Sequence, residues 1–195
     1  MKRIALVLAG ALLLTGCFAR GLTLNYLTPS ETPFKAKPVY LKVTDVRKDK
    51  QIVSKTVTDK GLFTDVGDRV SLTGKTLDGR SATVTDVTVR DAFYEAMRLR
   101  LEALGLGVMP EFASDKLSLT IEIEKVQLDL EGMRTFKAEV VYVATLYNGS
   151  KEIRRGRITG ATEKFYVLGK KDGEQCLSDA LVSAVNNLDL RPFQD

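Results

Sequence analysis

Few residues in this chain have both the type and the spacing to do chemistry. Cys17 is one of 2 cysteines in 195 residues, and it closes the string Leu14-Thr15-Gly16-Cys17 directly after the apolar run 4–14. A thiol placed there suits acylation, and acylation of Cys17 would leave Cys176 without a disulfide partner in the chain. Glu122 and Glu124 put two carboxylates on one face of an alternating stretch, the spacing of a general acid and base. No positioned partner accompanies them, so they read as a solvated strand face. Arg154, Arg155 and Arg157 form a basic cluster suited to anionic headgroup phosphates, and equally to an edge strand kept soluble by charge. Asp65, Gly67 and Asp68 do not keep the D-x-[DN]-x-[DN]-G spacing of a calcium loop and read as turns. Cys176 falls on an apolar helical stripe, the setting of a small buried hydrophobe rather than a reactive thiol. With 0 histidines the chain lacks the commonest metal ligand and the usual base at neutral pH. The sequence therefore assigns no catalytic residue, no metal ligands and no cofactor.

The elements that place Cys17 are plain. Lys2 and Arg3 precede the apolar run, and small residues precede the cysteine, which is the layout of a secretory signal. About eleven apolar residues at ~1.5 Å each fall short of a ~30 Å hydrocarbon core, so the run is no membrane span. The string "LLLTGC" resembles the bacterial lipobox, whose cysteine is acylated and becomes the mature N-terminus. Phe18, and not aspartate, follows the cysteine, which by resemblance to the lipoprotein sorting rule favours the outer membrane. Several acyl chains hold essentially permanently, whereas one does so only marginally. The expected organisation is a signal peptide over 1–16, a lipidated cysteine and Pro-rich tether over 17–38, and one α+β domain over 39–195.

Composition bounds the rest. The full chain carries 29 basic and 25 acidic residues; without Lys2 and Arg3 the balance is 27 to 25, or +2. That near-neutrality argues against nucleic acid, which needs a concentrated basic face. The length suits one domain with a real core.

The expected elements follow in order. Pro29, Pro33 and Pro38 favour an extended tether, although Leu22, Leu24 and Tyr26 alternate like a strand and are expected to dock. Val39, Leu41 and Val43 mark the first strand of the domain, running into "DVRKDK". Residues 48–83 read as irregular surface hairpins. Thr88 and Asp91 have capping-box spacing before an apolar stripe of Val89, Phe93, Ala96, Met97, Leu101 and Leu104, and Gly105 fits the left-handed C-terminal position. Over 117–130 the apolar phase switches from odd to even positions, which demands a bulge near 124–126. Asn148-Gly149 closes a tight hairpin between strands 136–147 and 151–159; a further strand is expected over 162–168 and a helix over 174–188. Val141, Val143 and Tyr147 make the second face of strand 136–147 apolar as well, and they mark a partner surface or homodimer contact if nothing else covers them.

Together with the lipobox and the Pro-rich tether, the strings "DVR", "LEALGLGV", "KLSLTIEIEKVQLD", "YNGSKEIRRGRITG", "YVLG" and "LSDALVSAVNNL" resemble the YajG family of bacterial lipoproteins over nearly the whole chain. The resemblance implies a lipid-anchored protein on the periplasmic face of the outer membrane and brings no catalytic residues. The expected fold is α+β, an antiparallel meander over 108–168 with two helices packed on one face and the first strand joining the sheet. The expected role is a non-enzymatic envelope accessory that binds or assembles another protein. The alternative is an auxiliary lipoprotein of a lipid or solute transport system, which an acyl-sized apolar cleft would favour.

Overall fold

The structure is a computed structural model that describes residues 21–64, 66–132 and 134–194. The signal segment, Cys17 and Asp65 lie outside the described residues. In chain order the elements are β1 (Leu22–Leu27), β2 (Lys37–Asp45), α1 (Lys55–Thr58), β3 (Arg69–Lys75), β4 (Ser81–Thr88), α2 (Val89–Ala103), β5 (Leu106–Met109), β6 (Leu117–Glu131), β7 (Thr135–Asn148), β8 (Lys151–Phe165) and α3 (Lys170–Asn186), with a closing 3-10 turn at Arg191–Phe193. They form an α+β domain with a five-stranded sheet, order β5-β2-β6-β7-β8, and a three-stranded sheet, order β1-β3-β4. Helices α2 and α3 pack on one face of the large sheet, and the small sheet packs on the helices from the other side.

Local chemistry explains the main pieces. Thr88 accepts from the Asp91 amide at 3.3 Å and donates to its carboxylate at 2.8 Å, starting α2, and Gly105 ends it at φ 82°. The phase switch in β6 is a bulge: Ile123 pairs with Tyr142 and Lys125 with Val141, leaving Glu124 as the extra residue. Gly149, at φ 62°, turns β7 into β8. The apolar face of β7, from Phe136 to Leu146, then meets α3 and α2; Phe93 packs edge-on against Tyr142 at 5.0 Å.

Several expectations are corrected. The meander proper is β6-β7-β8; β5 instead lies beyond β2 at the sheet edge, and β2 pairs parallel with both β5 and β6. Residues 48–83 form a surface hairpin only in part: β3 and β4 make an antiparallel one from Arg69 onward, whereas the segment before it packs inward. Ile52, Val53, Val57, Phe63 and Val66 are buried against the second half of β6, and β3 belongs to the second sheet. Arg47 fixes this plug, donating to Asp45 at 2.8 Å, to Asp68, and to the Lys50 carbonyl at 3.4 Å. Burial opposes the Asp45 charge, yet hydrogen bonds from Arg47 and Lys50 hold its carboxyl down at about 2.

The stretch 151–165 is one strand, not two. Gly160 does not break β8; it lets α3 approach so closely that a Cβ there would lie 2.2 Å from the Ala180 carbonyl. Helix α3 also begins a turn earlier than its apolar stripe suggests. Asp172 accepts the amides of Val167 and Leu168, and Gly173, helical despite its low propensity, leaves room for Phe63 and Leu128. The core itself begins at Leu22 and not at Val39, because Leu22, Leu24 and Tyr26 are buried in β1, parallel to β3. The far edge of β1 is closed by α3: Thr23 and Asn25 donate their amides to Glu174 at 3.1 Å and Ser178 at 3.0 Å.

Candidate interaction surface

The large sheet turns one face to the helices and the other outward, and the outward face gathers most of the residues singled out above. Cross-strand register places Val143 between Glu122 on β6 and Arg157 on β8, and Val141 between Lys125 and Thr159. Arg157 reaches across β7 to Glu124 at 2.6 Å and Arg155 to Glu122 at 3.7 Å. Lys125 pairs with Glu139 at 2.6 Å, and Lys137 with Glu131 at 2.5 Å and Glu163 at 3.0 Å. The result is a lattice of ion pairs over the middle strand, an arrangement in which long alkyl stems cover apolar residues while their charged heads stay in water. Val141 is 1% exposed although it lies outside the core cluster, while Val143 and Tyr147 are half-buried.

The arginine trio is split by the pleat of β8. Arg155 and Arg157 face outward, whereas Arg154 opposes Leu146 on the helix side and pairs with Asp189 at 2.5 Å. Hydrogen bonds from Arg191 and then Arg154 hold the Asp189 carboxyl well below the usual carboxylate range. Glu122 and Glu124 each meet an arginine. Their chemistry in this arrangement is charge pairing across a strand. Cys176 is fully buried, its sulfur 3.4 Å from the Thr162 hydroxyl and 3.6 Å from the Phe136 carbonyl, and burial pushes its thiol up.

Beside the lattice the same face opens into a depression of about 470 Å³ lined by Tyr40, Lys42, Phe112, Ser118, Thr120 and Tyr147. Phe112 stands edge-on to Tyr40 at 5.5 Å and remains largely exposed. Tyr147 stands out in the sequence as an apolar residue on the outward face; Tyr40 and Phe112 do not. The alternation of Val39, Tyr40 and Leu41 does mark Tyr40 as outward, but nothing in the local pattern of 110–115 announces Phe112. Sequence reasoning also missed Arg100, a buried base on an otherwise amphipathic helix. It donates to the Val185 carbonyl at the end of α3 and to Glu31 at 3.2 Å. A cation satisfying the last helical carbonyls is electrostatically favourable there, so Arg100 locks the two helices together.

Among the described residues no group of His, Cys, Asp and Glu is arranged to hold a metal ion, and no helix is long and apolar enough to cross a membrane. No family model and no curated protein matches the chain. Among solved structures, the fold is similar to that of protein XCC0632 from Xanthomonas campestris, of the family DUF330, with a TM-score of 0.51 at 12% identity over 85% of this chain and 89% of that one. An uncharacterized protein aligns with a TM-score of 0.42 at 12% identity, over 85% of this chain and 95% of that one. A "putative lipoprotein" from Caulobacter crescentus CB15 aligns with a TM-score of 0.34 at 11% identity, over 52% of this chain and 74% of that one. At such identities the likeness to the Xanthomonas protein is one of fold, and the chain shares its α+β architecture.

Proposed function

We propose that the protein is a lipoprotein of the YajG type, anchored through acyl chains on Cys17 to the periplasmic face of the outer membrane. There it acts as a non-enzymatic accessory that binds or assembles another envelope protein. The lipobox string supports the anchor, and the outward face of the large sheet supports the role. That face combines an aromatic depression around Tyr40, Phe112 and Tyr147 with a charged surround, the make-up of a protein contact with an apolar centre and a polar rim. The contact centres on Tyr147 and the depression rather than on Val141 and Val143, because Val141 is already covered. The alternative is an auxiliary lipoprotein of a lipid or solute transport system, which would use the same outward face, since the apolar void between Phe93, Val140 and Leu177 measures about 10 Å³ and does not hold an acyl chain.

Site-specific photo-cross-linking in cells tests the role. A cross-linker at Phe112 or Tyr147 is expected to trap one envelope protein, or a second copy of this chain, reproducibly; equal trapping from a site outside the face such as Leu77 would remove the proposal. The anchor is tested separately by fatty-acid labelling, which Cys17→Ser should abolish.

A further inference from the structure

Among the described residues the largest exposed apolar run lies at one end, where β8 passes into α3. Phe165, Val167 and Leu168 are 74%, 76% and 71% exposed. Soluble surfaces carry scattered apolar residues, but three such side chains within four positions form a patch that calls for a partner. The link is rigidly presented. The Tyr166 amide donates to the Arg134 carbonyl at 2.8 Å, and its ring packs edge-on against Phe136 at 5.6 Å. Asp172 accepts the Val167 amide at 2.7 Å and the Leu168 amide beside it. Although burial opposes its charge, these amides hold the Asp172 carboxyl below the usual range. Backbone polar groups are thus satisfied inward while the side chains on either side of Tyr166 project outward.

This tip lies near Gly21, the first described residue. Lys170, just past the tip, donates from its ammonium to the Gly21 carbonyl at 3.1 Å, and β1 runs from there alongside α3. Gly21 is four positions from Cys17. At no more than ~3.6 Å per residue, the Cα of Cys17 stays within about 14 Å of Gly21, and its sulfur within about 17 Å, whatever path the intervening residues take. Acyl chains on Cys17 would therefore hold this end of the domain against the bilayer surface. Lys164 and Lys171 flank the apolar tip and complement anionic headgroups, while Lys170 is engaged by the Gly21 carbonyl and by Glu174 at 3.8 Å. We infer that the Phe165-to-Leu168 tip is a second membrane contact, inserting Phe165, Val167 and Leu168 at the bilayer interface beside the lipid anchor and so setting the orientation of the domain. The inference rests on the anchoring reading above.

Membrane docking of this end also decides what faces the periplasm. The six-residue strand β1, at ~3.3 Å per residue, carries the chain about 20 Å away from Gly21, and it ends level with the β3-β4 turn that bears Leu77.

The chain contains 0 Trp, so a single introduced indole is an unambiguous probe. Leu168→Trp and, at the opposite end, Leu77→Trp replace exposed side chains and leave the core untouched. Each full-length protein is purified from membranes, its N-terminal peptide is weighed for acylation, and it is reconstituted into phosphatidylethanolamine vesicles with and without phosphatidylglycerol. With Cys17 acylated, Leu168→Trp is expected to shift to the blue and be quenched by brominated lipid, more so with phosphatidylglycerol, while Leu77→Trp does neither. An acylated protein in which both probes behave as in water overturns the docking and leaves the anchor standing. An unacylated protein whose Leu168→Trp still shifts upholds the docking and removes the anchor. An unacylated protein with no shift removes both.

Discussion

Both faces of β7 carry apolar residues, the inner one throughout and the outer one at Val141, Val143 and Tyr147 among Lys137, Glu139 and Thr145, and the two are covered by opposite means. Phe136, Val140, Tyr142 and Leu146 point inward onto the helices and join one continuous core. Val141, Val143 and Tyr147 point outward, where charged residues of β6 and β8 pair across β7 beside Val141 and Val143 and Tyr147 lines the open depression. Helix packing removes an apolar residue from water by close contact on all sides, whereas a charged side chain covers it with a flexible stem and keeps its head solvated. The first arrangement is expected to be costly to disturb and insensitive to salt; the second should be cheap and salt-dependent.

That contrast can be broken most directly at the inner face. Phe136→Ala should destabilise the domain by about 3–5 kcal/mol, read from the denaturant midpoint, since the ring is fully buried against the core. Gly160→Ala should cost about 1–3 kcal/mol without removing any contact, because the new methyl meets α3 backbone atoms within 2.2–2.3 Å. A loss below half a kcal/mol in either variant would mean that α3 does not sit on β7 and β8 as described. On the outer face, Val141→Ala should cost no more than about 1–2 kcal/mol, the transfer value of its methyl groups, because flexible stems can close over the gap.

Charge without the outer face can be separated at Asp45. Its folded-state carboxyl sits at about 2, below the ~3.9 of an unfolded chain, so its contribution is complete above pH about 4 and is lost as the pH falls toward 2. Asp45→Asn should flatten that part of the stability-pH curve, by no more than about 2 kcal/mol, and an unchanged acid limb would show that the Arg47 clamp carries no net stability. The smallest effect is expected in the lattice itself. A double-mutant cycle on Arg157 and Glu124, whose side chains are 63% and 36% exposed, should give a coupling of roughly 0.2–1 kcal/mol that vanishes at ~1 M salt. A salt-independent coupling would put that pair in the same class as the buried one.

Much of the fold was legible before any coordinates because it is written in local rules. The phase change between Ile123 and Lys125, the Thr88 cap, the Gly105 stop and the Asn148-Gly149 turn each depend on neighbours a few residues away. The candidate surface was legible in part: alternation marks Tyr147 and Val143 as outward, but it does not show that Glu122 and Glu124 meet arginines two strands away. The break expected between 159 and 162 and the late helix start at 174 fall at Gly160 and Gly173 for the same reason. Each looks like a break in local propensity, and each is required by an approach from a distant element.

The sequence by itself determined the elements, their apolar faces and, through 1–17, the reading of an anchored cysteine, since periodicity, caps and the lipobox string are local properties of the chain. Only the tertiary structure decided that β1 belongs to the core, that Ile52 to Phe63 and Val66 fold into a plug under β6, that Arg154 parts from Arg155 and Arg157, and that Lys170, next to the Phe165-to-Leu168 tip, reaches Gly21. Those are juxtapositions of residues tens of positions or more apart. They follow from which faces can be buried together at the least cost in unpaired polar groups, a balance struck over the whole chain.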